Sequence, residues 1–140
     1  MKIIKQSKQE ESDYIRKKVI EHNMEQLPDE LKTPKENISF TMKDDSGETI
    51  AGITGTMYWH HLHVDFLWVD KTVRHKGYGS KLLKEMEAFA REKRCRFIYL
   101  DTFSFQAPEF YKKNGYQVFG VLEDHPKGFH QYFLQKRFDK

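Results

Sequence analysis

Arg74-His75-Lys76-Gly77-Tyr78-Gly79 stands between the end of an apolar run and the start of an amphipathic one. Glycine takes positive φ and lets a ligand approach the backbone with no Cβ in the way. The first N–H groups of a helix have no internal partner, and the helix dipole adds partial positive charge there. A turn of this composition that opens a helix is an anion site. Lys71, Arg74, Lys76, Lys81 and Lys84 fall in one short stretch that holds no acid, which suits a polyanionic ligand. The turn is not a P-loop, which needs Gly-x4-Gly-Lys-Ser/Thr. The dinucleotide fingerprint needs a third glycine, and this chain has Leu82 there. Asp101 falls where a ribose-binding acid belongs, but only residues 102–140 follow it, too few for a second nucleotide half.

Two other clusters invite chemistry. His60-His61-x-His63 has the look of zinc ligands. On a strand His61 and His63 share a face while His60 points away, so the three do not converge. No cysteine or second cluster completes a site, and no metal is expected. Cys95 sits between Arg94 and Arg96, a setting that could lower its pKa. No Cys–His dyad is visible, and a free cysteine is commonly just buried.

Residues 2–6 look like a short strand, and 8–25 like an amphipathic helix with Tyr14, Ile15, Val19 and Ile20 near one face. Leu27-Pro28-Asp29 and Thr33-Pro34 punctuate a loop. Residues 38–42 alternate as a strand, Asp44–Glu48 is a hairpin turn, and the next strand runs from about Thr49 to Tyr58. Residues 61–69 form another strand. Its even positions, Leu62, Val64, Phe66 and Trp68, predict one face in the core throughout. Its odd face begins polar with His61, His63 and Asp65 and ends apolar with Leu67 and Val69, which is unusual for a central strand. Residues 77–93 are the clearest helix, with Leu82, Leu83, Met86, Phe89 and Ala90 as its buried stripe. A strand over 96–102, a short helix over about 107–114 with Pro108 in its first turn, and strands over 116–122 and 129–138 complete the chain. The order β-α-β-β-β-α-β-α-β-β is that of a mixed α/β domain with one sheet.

The 140 residues fit one domain, residues 1–140, large enough for a proper core. A 38% hydrophobic and 32% charged composition is that of a soluble globular protein. No apolar run reaches the roughly 18 residues of a membrane span, and no signal-peptide core is visible. With Cys95 alone no internal disulfide can form, so the reducing cytoplasm is the expected compartment. The net charge of +3 is mild, and there is neither a basic stripe nor a recognisable module, so nucleic acid is not an expected partner.

Leu67-Trp68-Val69, then Arg74-x-x-Gly77-x-Gly79, then Leu82-Leu83, resembles the signature segment of the GCN5-related N-acetyltransferase (GNAT) superfamily. Downstream, Ala107-x-x-Phe110-Tyr111-x-x-Asn114-Gly115-Tyr116 is similar to a second motif of that family, and the order of elements is the family's as well. The chain departs from the pattern at His75, where many members have glycine, and at Ser104, where many have asparagine.

The resemblance implies a single mixed, mostly antiparallel sheet of about seven strands, helices on both faces, and two central strands splayed apart, here 61–69 and 96–102. It implies acetyl-CoA or CoA in that cleft as co-substrate. The pyrophosphate would lie on the turn Arg74, His75, Lys76, Gly77, Tyr78, Gly79 and Ser80. The backbone of Leu67, Trp68 and Val69 would pair with the pantetheine arm, and an N–H near Val69 would stabilise the oxyanion. Thr102, Ser104 and Gln106 are the candidates to replace the family's asparagine. Tyr111 matches the tyrosine that serves relatives as general acid, and a phenol near pKa 10 can protonate a thiolate. An amine must lose a proton before it attacks. The half-polar face offers His61, His63 and Asp65: His63 lies near where some relatives place a glutamate base, and Asp65 is a candidate base or a group that orients the amine; a water relay is the alternative. The acceptor implied is a primary amine of a small molecule, and a second copy of the chain is a candidate partner. A CoA-binding module without catalysis and a protein or peptide N-acetyltransferase are the competing functions.

Overall fold

The computed structural model describes residues 1–139. Contacts divide the chain into residues 1–33 and residues 34–140, and each part is described by itself. In the first, α1 spans Gln9–Gln26 and ends two residues before Pro28, with the Leu27 N–H donating to the Asn23 carbonyl at 3.1 Å. The strand expected over residues 2–6 does not form. A strand exists only as a pair. Ile3 and Ile4 between Lys2 and Lys5 are a weak local signal, and no ladder includes them. The sheet therefore has six strands instead of about seven.

The second part holds β1 (Glu36–Lys43), β2 (Thr49–Tyr58), β3 (His61–Val69), α2 (Tyr78–Glu92), β4 (Phe97–Phe103), α3 (Pro108–Lys113), β5 (Gln117–Leu122) and β6 (Gln131–Arg137). The strands lie in the order β1-β2-β3-β4-β6-β5. All neighbours are antiparallel except β3 and β4, which run parallel. The stripe Leu82, Leu83, Met86 and Ala90 of α2 packs into a core with Ala51, Ile53, Leu62, Ile98, Leu100 and Leu134. Glu87 joins that face of α2. It accepts the Tyr116 hydroxyl at 2.8 Å and the Lys136 ammonium at 3.1 Å, which pins β6 and the segment between α3 and β5 to the helix. No helix among the described residues is long and apolar enough to cross a membrane.

β3 is where the structure departs most from its pattern. Gly55 pairs with Val64 and Thr54 with Phe66, so Asp65 has no partner across the ladder. This is a β-bulge, and beyond it the strand's faces exchange. Leu62 and Val64 are buried, but Phe66 is 75% and Trp68 48% exposed, while Leu67 and Val69 pack against the core. The even positions are thus not core throughout. The odd face turns apolar because its last two residues point inward.

The parallel pairing of β3 with β4 is short: His61 with Phe97, Leu62 with Ile98 and His63 with Tyr99. Beyond His63 the strands part, as expected for 61–69 and 96–102. The β3 edge from Val64 to Val69 then has no strand beside it on the β4 side.

Candidate active site

The parted strands enclose a cleft of about 930 Å³. Residues 64–69 of β3 form one wall, and residues 100–102, 105–107, Phe110 and Tyr111 the other. Arg74, His75 and residues 77–80 close one end. Of the residues singled out from sequence, Asp65, Leu67, Trp68, Val69, Arg74, His75, Gly77, Tyr78, Gly79, Ser80, Thr102, Gln106 and Tyr111 border this space. Lys76, Ser104 and His63 do not. The Ser104 hydroxyl instead accepts the His130 N–H at 3.1 Å, and its own N–H donates to the His130 carbonyl at 2.8 Å. It fastens β4 to the loop before β6. Gln106 Oε1 accepts the Phe103 N–H at 2.8 Å and the Thr102 hydroxyl at 3.2 Å, so its oxygen serves the turn and its NH2 is what it could offer a ligand.

The turn has the geometry of an anion cradle. His75 and Gly77 both take left-handed φ, 68° and 80°. Gly77 caps α2 without a side chain, and no acid stands in the first turn. The N–H groups of residues 78–80 precede the first intrahelical bond, from the Lys81 N–H to the Gly77 carbonyl at 3.1 Å, and carry the positive end of the helix dipole. A non-glycine residue at φ 68° costs about 1–2 kcal/mol, which explains why glycine suits the position of His75. Arg74 donates from Nε to the Val69 carbonyl at 3.1 Å, tying the turn to the end of β3. Gly79 serves packing as well as approach, because a Cβ there would meet the Phe110 ring at 3.3 Å.

On the sheet face turned away from α2, a polar chain crosses four strands. The Thr56 hydroxyl donates to Asp65 Oδ2 at 2.6 Å. Asp65 Oδ1 lies 2.7 Å from His63 Nδ1. His63 Nε2 lies 3.4 Å from Asp101 Oδ1, and Asp101 Oδ2 accepts Gln131 Nε2 at 2.8 Å. Asp65 is the hydrogen-bonded strand carboxylate that its type allowed, and its partner is His63. Asp101 was read only as a candidate ribose acid. Its alternation with Tyr99 on β4, the strand that pairs with His63, is the signal that could have placed it here.

Tyr111 is 8% exposed at the inner wall. Burial, then the charge of Asp101, pushes its hydroxyl up to about 12, above the value near 10 expected from its type. It therefore keeps its proton throughout the neutral range. Cys95 also differs from its sequence setting. Burial, then Glu36, raises the thiol to about 11, so the flanking arginines do not activate it.

His61 is buried among the rings of Tyr58, Phe97 and Tyr99. Burial, reinforced by His63, lowers its pKa below 6.5 against a raising hydrogen bond to the Tyr58 backbone. The unfolded chain then takes up a proton at a pH where the fold does not. The stability present above about pH 6.5 is lost as pH falls through that value towards the folded pKa. The thermal midpoint should drop between pH 7 and pH 5. His61→Phe keeps a ring there and cannot protonate, so it should show a shallower drop. Equal slopes would remove His61 from the acid response.

A sequence model of the acetyltransferase (GNAT) family matches residues 5–116. Blasticidin-S acetyltransferase of Streptomyces morookaense is 42% identical over 91 residues, 64% of this chain and 67% of that protein. An acetyltransferase of Agrobacterium fabrum is 30% identical over 74% of this chain and 76% of its own. The crystal structure of an acetyltransferase from Bacillus cereus superposes with a TM-score of 0.95 at 57% identity, covering 98% of each chain. The chain belongs to the acetyltransferase (GNAT) family, enzymes that take an acetyl group from acetyl-CoA.

Proposed function

We propose that the chain transfers the acetyl group of acetyl-CoA to the primary amine of a small molecule. The observation that carries this is the two-ended cleft. One end is an uncapped helix N-terminus beside Arg74, suited to a diphosphate, and the other holds Asp65, Asp101 and Tyr111. Between them the unpaired edge of Leu67, Trp68 and Val69 offers backbone groups to the amides of the pantetheine arm, as an added strand would. An N–H near Val69 stabilises the oxyanion formed when nitrogen attacks the thioester carbonyl. Tyr111 supplies the proton that the departing sulfur needs. His75, Lys76, Tyr78 and Ser80 complete the diphosphate turn, with Thr102 and Gln106 along the arm. The small acceptor follows from the likeness to a relative named for blasticidin S. A lone buried thiol fits action in the cytoplasm.

Calorimetric titration with acetyl-CoA should give saturable, one-to-one binding that weakens when Arg74 is replaced by alanine. A flat titration at millimolar ligand sinks the reading. A library of primary amines, followed by release of free CoA, then identifies the acceptor.

A further inference from the structure

We propose that Asp101 is the group that meets the acceptor amine, and that His63, held by Asp65, takes the proton from behind it. This rests on the acetyl-transfer reading and assigns its base.

Asp65 accepts the Thr56 hydroxyl on Oδ2 and faces His63 Nδ1 with Oδ1 at 2.7 Å. An ionised carboxylate can only accept, so the hydrogen of that contact sits on Nδ1. A neutral imidazole carries one N–H, which leaves Nε2 with its lone pair. In that neutral form the lone pair faces a second acceptor, Asp101 Oδ1, at 3.4 Å, and a ring protonated there pairs with both carboxylates. Two acceptors set face to face are a place for a proton, and the substrate brings one, since a primary amine near pKa 10 is an ammonium at neutral pH. Of the three side chains, Asp65 and Asp101 border the cleft and His63 does not. Each Asp65 oxygen already takes a hydrogen, from His63 Nδ1 or Thr56, and Asp101 Oδ2 takes one from Gln131, whereas Asp101 Oδ1 faces only Nε2, so it is the carboxylate oxygen placed to receive the ammonium and to hand its proton on. Asp101 and Tyr111 line the same cleft, and the charge of Asp101 adds to burial in holding that hydroxyl up.

The step balances. One ammonium N–H bond breaks, and the proton passes by Asp101 Oδ1 to His63 Nε2. The freed lone pair forms the C–N bond, the C–S bond breaks, and sulfur takes the Tyr111 proton. The nitrogen's second proton restores Tyr111. The products are an amide, free CoA and a proton on His63 that returns to water. The titratable groups facing His63 are His61 and Asp65 on its own strand and Tyr99 and Asp101 on β4, with the Tyr99 ring 4.6 Å away. Tyr111 of α3 lines the same cleft as Asp101.

The test has two arms. In protein labelled with nitrogen-15 histidine, the neutral His63 ring should show the Nδ1–H tautomer, and Asp65→Ala should lose that preference. An Nε2–H ring in the wild type overturns the proposal with no substrate needed. With blasticidin S and simple primary amines as acceptors, Asp101→Asn should lower kcat/KM by about 10²–10³-fold. It should also flatten the acid limb of the pH profile and leave the acetyl-CoA Kd within twofold, and Asp101→Glu should recover part of the rate. An Asp101→Asn enzyme within threefold of an active wild type overturns this assignment alone. A wild type that releases no CoA with any amine overturns the acetyl-transfer reading, and this assignment with it.

Discussion

Tyr111→Phe should lower kcat by about 100-fold or more, the usual contribution of a positioned general acid, while the Kd for acetyl-CoA changes less than twofold. The substitution removes one atom. The remaining ring keeps its edge contacts with Phe110 at 5.1 Å and Tyr116 at 5.9 Å, so the wall of the cleft stands. Among the described residues no partner hydrogen-bonds the hydroxyl, so its loss orphans nothing and the fold should lose less than about 1 kcal/mol. The pH dependence follows from burial. With the hydroxyl held up to about 12, Tyr111 stays protonated across the assay range and should impose no alkaline limb on kcat below about pH 11. Steady-state thiol release from pH 7 to 10.5 checks both points. A variant as fast as the wild type removes Tyr111 from the mechanism. An alkaline limb near pH 10 that disappears in the variant would keep Tyr111 as the acid but show that it titrates in the free enzyme's working range.

Much of the scaffold was legible because it is local. The stripe from Leu82 to Ala90, the Asp44–Glu48 turn and the glycines at 77 and 79 announce themselves within a few residues. What escaped is non-local or a matter of parity. The bulge at Asp65 is invisible to a period-two count, because Leu62, Val64, Phe66 and Trp68 alternate perfectly through it. Its only trace is the odd face turning apolar at Leu67 and Val69, which an unbroken strand leaves unexplained. Asp101 reaches His63 only because a parallel crossover through α2 brings β4 beside β3. Cys95 is the buried cysteine its type suggests. Its chain neighbours are basic, yet burial decides its pKa. Ser104 stands where the motif has asparagine, and its hydroxyl accepts the His130 N–H of the loop before β6. In each case a partner remote in sequence outweighs the neighbours that a linear reading sees.

Gly79→Val should be the most damaging single change in the turn, through α3 as well as through the ligand. A Cβ at position 79 lies 3.3 Å from Phe110 Cζ, 3.5 Å from Cε1 and 3.7 Å from Val69 Cγ2. For alanine the ring must give by a few tenths of an ångström. The better helix propensity of alanine, worth up to about 1 kcal/mol in a helix interior, offsets part of that cost. For valine the added methyls enter the same space, and overpacking of this kind costs about 1–3 kcal/mol. Phe110 adjoins Tyr111 on a helix of only six residues, so the ring cannot retreat without carrying the hydroxyl with it. A displacement of about 1 Å at a reacting group can cost on the order of 100-fold in rate. Gly79→Val should therefore melt several degrees below the wild type and lose at least tenfold in kcat, whereas Gly79→Ala stays close to it. Phe110→Leu, which shortens the opposing side chain, should restore a good part of both losses when combined with the valine. If the double variant recovers nothing while acetyl-CoA binding alone is lost, the glycine is there for the diphosphate and its contact with Phe110 is incidental.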